Sequence, residues 1–175
     1  MTQLWPMAIV EEVGAGREEM RQAMRRWSTG VVVVTLRMGD EVRGVTVNSF
    51  TSVSLEPPLV MICLDGRART HDLLLASRHY CINILGEDQQ VLSDRFAGRR
   101  PGEHGRFDDC SQRQSPAGLP VIDGCLAWLD CRLVDLHPAG DHTIFIGLVT
   151  HAEHADGRPL LYHGGQYHTL TLSDG

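Results

Sequence analysis

Short strand-like segments that follow one another with few helices between them are the feature that most limits how this chain can fold. Residues 31–36 form a β-branched apolar run typical of a buried strand, and the Gly39-Asp40 turn predicts a hairpin with residues 44–54. Further strands are predicted at residues 59–64, 80–85, 125–136, 143–154 and 166–172. Because strands and helices do not alternate regularly, a doubly wound parallel sheet is disfavoured, and a mainly antiparallel β-barrel with peripheral helices is favoured.

A small number of helices is predicted around these strands, at residues 17–27, 71–77 and 87–97. The first has an apolar face at helical spacing, formed by Met20, Ala23, Met24 and Trp27. Thr70 is the expected N-cap of the second. Residues 1–16 are interpreted as a weakly patterned arm and residues 17–175 as one domain.

Charge and hydropathy exclude several classes of partner. The 175 residues include 16 Lys+Arg against 22 Asp+Glu, a formal net charge of −6, whereas nucleic-acid binding needs a basic face. No apolar stretch approaches the roughly 20 residues of a membrane-spanning helix. The N-terminus has no signal-peptide pattern. We therefore expect a cytoplasmic protein with no membrane or nucleic-acid partner.

Cysteine and histidine spacing gives no indication of a metal site. The five cysteines form no CxxC pair, and an odd number of cysteines in a cytoplasmic protein argues against a disulfide framework. His151 and His154 lie three positions apart in a predicted strand, which places them on opposite faces. No metal is therefore expected.

The most informative segment, residues 44–54, is polar although apolar strands flank it. Strand alternation places on one face the side chains of Thr46, Asn48, Phe50, Ser52 and Ser54. Short hydroxyls, an amide and backbone N–H groups suit a ligand with a polar ring edge and a phosphate tail, such as a flavin nucleotide. The alternative is an exposed strand rich in Thr and Ser with no ligand.

A second candidate segment, residues 63–70, joins a predicted strand to a predicted helix. Helix N-termini attract anions, and Arg67 or Arg69 could add a charge-assisted contact to a phosphate. The alternative is a solvated basic loop in which Thr70 serves only as the cap.

His142 is the third candidate, in a turn that precedes a predicted strand. Gly140 permits a tight turn, and Asp141 can fix the imidazole so that His142 contacts a carboxamide or moves a proton. The alternative is a surface turn with an incidental histidine. The sequence has no GxGxxG, P-loop or GxSxG motif, so it gives no indication of a Rossmann, P-loop or nucleophile-elbow site.

A set of motifs in a specific order connects these segments to a known family. They are Trp27-Ser28-Thr29-Gly30-Val31, residues 46–54, Pro57-Pro58-Leu59, Asn83-Ile84-Leu85, Phe96-Ala97, Gly140-Asp141-His142-Thr143, Pro159-Leu160-Leu161-Tyr162 and Tyr167. Across residues 19–170 the chain resembles the flavin reductase family with the FMN-binding split-barrel fold. The resemblance implies an antiparallel split β-barrel with peripheral α-helices. It also implies an NAD(P)H:flavin oxidoreductase that supplies reduced flavin to a separate monooxygenase, and a homodimer with its site near the subunit interface.

The resemblance implies roles for individual residues as well. The expected flavin contacts follow the ring, the ribityl chain and the phosphate: Thr46, Val47, Asn48, Ser49, Ser52, Cys63, Leu64, Asp65, Arg69 and Thr70. His142 is the expected catalytic residue, in contact with the nicotinamide, and Tyr167 is expected to close the same cleft. Phe96 and Arg106 are further cofactor-binding candidates.

Alternatives stay open at this point. The flavin could be FMN or FAD, and the hydride donor NADH or NADPH. The flavin could also be a tightly bound prosthetic group that reduces another acceptor. A third alternative is a non-catalytic module that binds flavin or haem on the same barrel.

Overall fold

The computed structural model describes residues 14–100, 102, 107 and 109–171; Arg106 and residues 1–13 of the predicted arm lie outside them. The helices are α1 (Arg17–Met24), α2 (Arg69–Ser77) and α3 (Gln90–Phe96). The strands are β1 (Thr29–Gly30), β2 (Val32–Met38), β3 (Glu41–Val47), β4 (Thr51–Leu55), β5 (Pro58–Asp65), β6 (His79–Ile84), β7 (Gln112–Gln114), β8 (Pro120–Ile122), β9 (Ala127–Ala139), β10 (His142–His154), β11 (Leu160–His163) and β12 (Gln166–Thr169). A seven-stranded sheet has the order β3-β2-β6-β9-β10-β5-β4, and two small sheets comprise β1-β11-β12 and β7-β8.

The predicted N-terminal hairpin forms from β2 and β3. Gly39, with φ of +60°, makes the turn, a left-handed conformation that side-chain-bearing residues rarely adopt. Val34 of β2 pairs with Val45 on one side and with Ile82 of β6 on the other. Strand β2 therefore lies inside the sheet. Residues 32–36 are all buried, which explains why four of these five residues are apolar and polar residues do not alternate with them.

The link between β3 and β4 shows that the large sheet is curled. These strands are its two edges, and six inter-strand spacings would separate them by ~29 Å in a flat sheet. Yet Val47 at the end of β3 and Thr51 at the start of β4 are four positions apart, a reach of at most ~14 Å. The sheet must bend until its edges approach each other. The predicted mainly β, antiparallel barrel with peripheral helices is therefore confirmed.

The prediction of one continuous strand at residues 44–54 is wrong. Strand β3 ends at Val47 and β4 begins at Thr51, so residues 48–50 cross from one edge of the sheet to the other. The inference that alternate side chains of this segment share one face fails with it, because the crossing changes the direction of the chain. Polarity and β propensity continue on both sides of the break, which is why periodicity did not reveal it.

Strand β5 separates the protein core from an outer face. Its burial alternates: Val60, Ile62 and Leu64 are buried. These side chains pack in the main core with Tyr80 and Phe145, and each buried aliphatic side chain contributes about 1.5–3 kcal/mol. The intervening residues of β5 are half-buried and lie on the opposite face. That outer face is where the candidate site forms.

The helices differ from the predictions mainly at their boundaries. Helix α1 ends at Met24 rather than residue 27, and its apolar face is exposed, with Met20 at 56%, Met24 at 50% and Trp27 at 65%. Thr70 does not cap α2: the N-cap is Ala68, and Thr70 lies buried within the helix. No helix among the described residues is long and apolar enough to cross a membrane.

Four short strands among the described residues, β1, β7, β8 and β11, were absent from the prediction. They contain only two to four residues each, which is too few for alternation or propensity to identify a strand. Strand β11 pairs with β1 and β12, and Tyr162 lies opposite both Thr29 and Tyr167. This small sheet brings the segment after α1 next to the C-terminal hairpin.

Candidate active site

A cavity of about 1040 Å³ lies between the end of α1, the crossing at residues 48–50, the outer face of β5 and the β11–β12 turn. Its apolar and aromatic lining includes Met24, Trp27, Phe50, Met61, Ile84 and Tyr162. Its polar and basic lining includes Arg21, Arg25, Ser28, Thr29, Asn48, Ser49, Thr51 and Cys63. Apolar and aromatic walls with a few convergent polar groups are typical of a cofactor site.

Ser49 fixes the crossing to the outer face of β5. Its Oγ donates a hydrogen bond to the carbonyl oxygen of Cys63 and accepts one from the Cys63 N–H, both at 3.0 Å. A single hydroxyl therefore satisfies both backbone groups of a strand residue. Asn48 is exposed beside it and lines the cavity with its amide.

Thr29 provides an independent indication of a ligand. Its Oγ1 is buried and has no hydrogen-bond partner among the described residues, although the side chain lines the cavity. A buried polar atom without a partner is costly, so such groups usually find one. Gly30 and Gly164 also line the cavity, and a Cβ at either position would meet open space. The residues present thus fit a large ligand with polar edges.

His142 and Asp65 lie beyond Cys63 on the same face of the sheet. They are directly opposite each other in the β5–β10 pairing, so their side chains share a face. Asp65 is two positions from Cys63, a distance of ~7 Å along the strand. The imidazole Nδ1 of His142 is 2.7 Å from an Asp141 carboxylate oxygen, which orients the ring. His142 is therefore placed at the rim, adjacent to the cavity rather than within its lining.

The carboxylates around His142 are held in their charged form. Arg67 donates from Nη2 and Nε to Asp65 at 2.8 and 3.0 Å, and this contact lowers the pKa of Asp65. The hydrogen bond with His142 lowers the pKa of Asp141. Burial, in contrast, raises the pKa of the Cys63 thiol. The rim is thus anionic, and the thiol on the cavity wall stays protonated at neutral pH.

Three further predicted site residues gather around α3 instead. Thr46 donates from Oγ1 to the carbonyl oxygen of Ser93 at 2.8 Å, and the Tyr167 hydroxyl lies 2.8 Å from Ser93 Oγ. Phe96 is buried against Gly44, where a Cβ would lie 2.7 Å from the ring. None of the three lines the cavity. Tyr167 reaches it only through its neighbour Tyr162, whose ring centroid is 5.5 Å away.

The remaining predicted residues are dispersed around the barrel. Val47 packs against the main core, and Leu64 is buried inside it. Ser52 lines a separate apolar cavity of about 300 Å³ beside the β4–β5 hairpin. Arg69 pairs with Glu41 at 2.6 Å, and Thr70 is buried. Of the candidates, the structure brings together Asn48, Ser49 and Cys63 in the cavity, with Asp65 and His142 at its rim.

Sequence reasoning assigned no role to several cavity residues: Trp27, Ser28, Thr29, Phe50, Met61 and Tyr162. For Trp27, Ser28, Thr29 and Tyr162, the signal that could have found them is the recurrence of small and aromatic residues in motifs noted only for the resemblance, at residues 27–31 and 159–162. The pairing of β1 with β11 places Thr29 opposite Tyr162, a long-range contact that local pattern does not encode.

His151 and His154, the histidines considered for a metal site, lie in β10 and do not line the cavity. Among the described residues, no group of three or more His, Cys, Asp or Glu side chains is arranged to hold a metal ion.

Substituting Ser49 tests the structural role of the crossing. We expect Ser49→Ala to lower the free energy of unfolding by about 1–2 kcal/mol, because the Cys63 N–H and carbonyl lose their partner. Thr51→Ala is the matched control, since Thr51 Oγ1 makes only an exposed contact of 3.4 Å. Urea titration measures both, and equal effects of the two substitutions would contradict the role of Ser49.

Comparison with known proteins agrees with this geometry. Residues 24–171 match the flavin reductase like domain. The FMN reductase (NADH) SmoA of Agrobacterium fabrum is 42% identical over 155 residues, covering 88% of this chain and 86% of the relative. The reductase component of 4-hydroxyphenylacetate 3-monooxygenase from Thermus thermophilus is 38% identical over 155 residues, covering 88% and 97%. The structure of the flavin reductase PheA2 superposes with a TM-score of 0.84 at 39% identity, covering 90% of this chain and 100% of that one. The resemblance predicted from the motifs is confirmed, and the chain belongs to the flavin reductase like family.

Proposed function

We infer that this protein is an NADH-dependent flavin reductase that transfers hydride from NADH to FMN or FAD. The observation that carries the inference is the cavity itself, where an aromatic and apolar wall meets the polar crossing in a chain of this family. The SmoA relative is named as an NADH-dependent FMN reductase, which supports NADH as the donor and FMN as one acceptor.

The cavity can hold a planar ring by stacking and by edge contacts. Met61 projects from the outer face of β5, and the side chains of Trp27 and Tyr162 line the same space. Flat, polarisable surfaces of this kind favour stacking on a ring. Asn48 offers both a donor and an acceptor to the ring edge, and Thr29 Oγ1 offers a hydroxyl that lacks a protein partner.

The chemistry requires positioning rather than a protein nucleophile. A bound flavin would supply N5 as the hydride acceptor and a bound nicotinamide would supply C4 as the donor, so no protein atom has to react. The protein holds the two rings in contact and keeps water from between them. Ser49 keeps the polar crossing fixed to β5 while this happens. The apolar wall excludes water from the same space.

His142 is proposed to contact the nicotinamide carboxamide from the rim. Its Nδ1 is engaged by Asp141, which leaves Nε2 directed away from that carboxylate. The flavin contacts proposed from the family resemblance at Thr46, Val47, Ser52, Leu64, Arg69, Thr70, Phe96 and Tyr167 require backbone groups, side-chain rearrangement or a neighbouring subunit. Asn48, Ser49, Cys63 and Asp65 are proposed to act directly from where they lie.

The protein is proposed to act as a homodimer. The exposed apolar face of α1 is next to the cavity, and Leu55 at the tip of the β4–β5 hairpin is 84% exposed. A second copy that covers these side chains would bury apolar surface and complete the cavity wall.

Sedimentation velocity measures the oligomeric state directly. We expect a dimer, and a protein that stays monomeric at micromolar concentration would contradict the proposal.

The reduced flavin is proposed to serve a separate flavin-dependent monooxygenase. The Thermus thermophilus relative is named as the reductase component of such an enzyme. All five cysteines are free, which is consistent with the proposed cytoplasmic location, where thiols are kept reduced.

Flavin dependence of NADH oxidation distinguishes the proposed function from its alternatives. We expect the purified protein to oxidise NADH rapidly only when FMN or FAD is added, because the flavin is exchanged at each turnover. Absorbance at the NADH band measures the rate, with NADPH as a parallel donor. Turnover without added flavin would indicate a prosthetic group, and coloured protein without turnover would indicate a binding module.

Paired substitutions separate the two ligands. We expect His142→Ala to raise the KM for NADH about threefold to tenfold with little change in flavin affinity, because one polar contact is lost. Asn48→Ala is expected to do the reverse and weaken flavin binding by a similar factor. Steady-state kinetics and flavin fluorescence titration give the two constants. A pattern in which both variants affect both ligands equally would overturn these assignments.

A further inference from the structure

We propose that Arg25, supported by Arg21, forms a subsite for a nucleotide phosphate at the α1 end of the cavity. The proposal rests on the proposed function in one respect: it takes the ligands of the cavity to be flavin and nicotinamide nucleotides. It concerns a part of the wall to which neither the motifs nor the family resemblance assigned a role.

The backbone of Arg25 is fixed at the point where α1 meets the C-terminal hairpin. Arg25 is the C-cap of α1, and its carbonyl oxygen accepts a hydrogen bond from the Gly164 N–H at 3.0 Å. Its guanidinium Nη2 lies against Gly165, 3.4 Å from where a Cβ would be. Arg21 is one helical turn earlier, and both arginines line the cavity. The pair therefore forms one end of the cavity wall.

No carboxylate among the described residues pairs with the charge on Arg25. Arg21 forms an ion pair with Glu18 at 2.7 Å. The Arg25 guanidinium, in contrast, makes no hydrogen bond or ion pair with any of the described residues, and only a weak coulombic interaction links it to Glu18. None of the described residues that line the cavity carries a carboxylate. A guanidinium with N–H donors in a planar fork thus lines the cavity, and this geometry suits two phosphate oxygens.

The other two arginines proposed for phosphate binding already form ion pairs with carboxylates. Arg67 is engaged by Asp65 at 2.8 Å and Arg69 by Glu41 at 2.6 Å. Each would have to share or release a carboxylate to bind a phosphate, whereas Arg25 would not. Two nucleotides that stack on each other also need two separate places for their phosphates. Since Arg69 and Thr70 are the proposed partners of the flavin phosphate, the α1 end is the place expected for the NADH diphosphate.

Ligands with and without phosphate test the subsite directly. We expect Arg25→Gln to raise the KM for NADH about tenfold and to leave the KM for dihydronicotinamide riboside, which has no phosphate, unchanged. The effect should shrink in about 0.5 M NaCl, because salt screens an exposed charge. Arg25→Lys should recover part of the loss. Arg26→Gln is the matched control, since Arg26 is exposed on the same segment and does not line the cavity.

A binding measurement that needs no turnover separates this proposal from the proposed function. Calorimetric titration with ADP-ribose, which carries the diphosphate but no nicotinamide, should show weaker binding in Arg25→Gln than in Arg26→Gln. FMN and riboflavin form the second pair of probes. Selective loss of FMN binding would keep the subsite and assign it to the flavin phosphate. Equal effects on phosphorylated and unphosphorylated ligands, or no effect on either, would overturn it, whereas absence of NADH oxidation in the parent protein would refute only the function.

Discussion

The crossing from one edge of the sheet to the other is the constraint on which the rest of this structure depends. A link of residues 48–50 can connect the outermost strands of a seven-stranded sheet only if the sheet is curled. Curling of the sheet encloses the core, and it also brings a polar segment against the outer face of β5. The two hydrogen bonds between Ser49 and Cys63 hold that contact in place of a strand pairing.

Strand β5 shows how one segment can serve both stability and function. Val60, Ile62 and Leu64 point into the core, and their burial stabilises the barrel. The alternate residues Met61 and Cys63 line the cavity, which the crossing, α1 and the β11–β12 turn enclose from the other sides. Because the strand is fixed by its inner face, the outer face is rigid, which is what a site that works by positioning requires.

Local pattern predicted the elements whose conformation depends on near neighbours. The β-branched run of β2, the turn at Gly39 and the strand that starts at His142 follow from propensity and alternation, and the fold class follows from them. The break at residues 48–50 did not follow from local pattern, because it is imposed by the curling of the whole sheet. Thr70 was assigned as a cap from its residue type, but packing of α2 on the sheet buries it instead.

The site was predictable only in part for the same reason. The sequence identified Asn48, Ser49 and Cys63, which lie in the two segments that it had marked as candidates. In the structure these segments meet where the crossing contacts β5. Tyr162 and Thr29 were not, because they enter through the pairing of β1 with β11, whose partners are more than a hundred positions apart. Arg25 adds a second candidate phosphate contact at the opposite end of the cavity from the basic loop, whose Arg67 and Arg69 are already paired with carboxylates.

A crystal structure of the protein with FMN and NAD⁺ bound tests the central claim most directly. The account predicts that the flavin ring lies against Met61 and Cys63 with its polar edge at Asn48, and that the nicotinamide lies over it on the side of His142. A ring bound in the apolar cavity beside the β4–β5 hairpin, or anywhere away from the crossing, would contradict it.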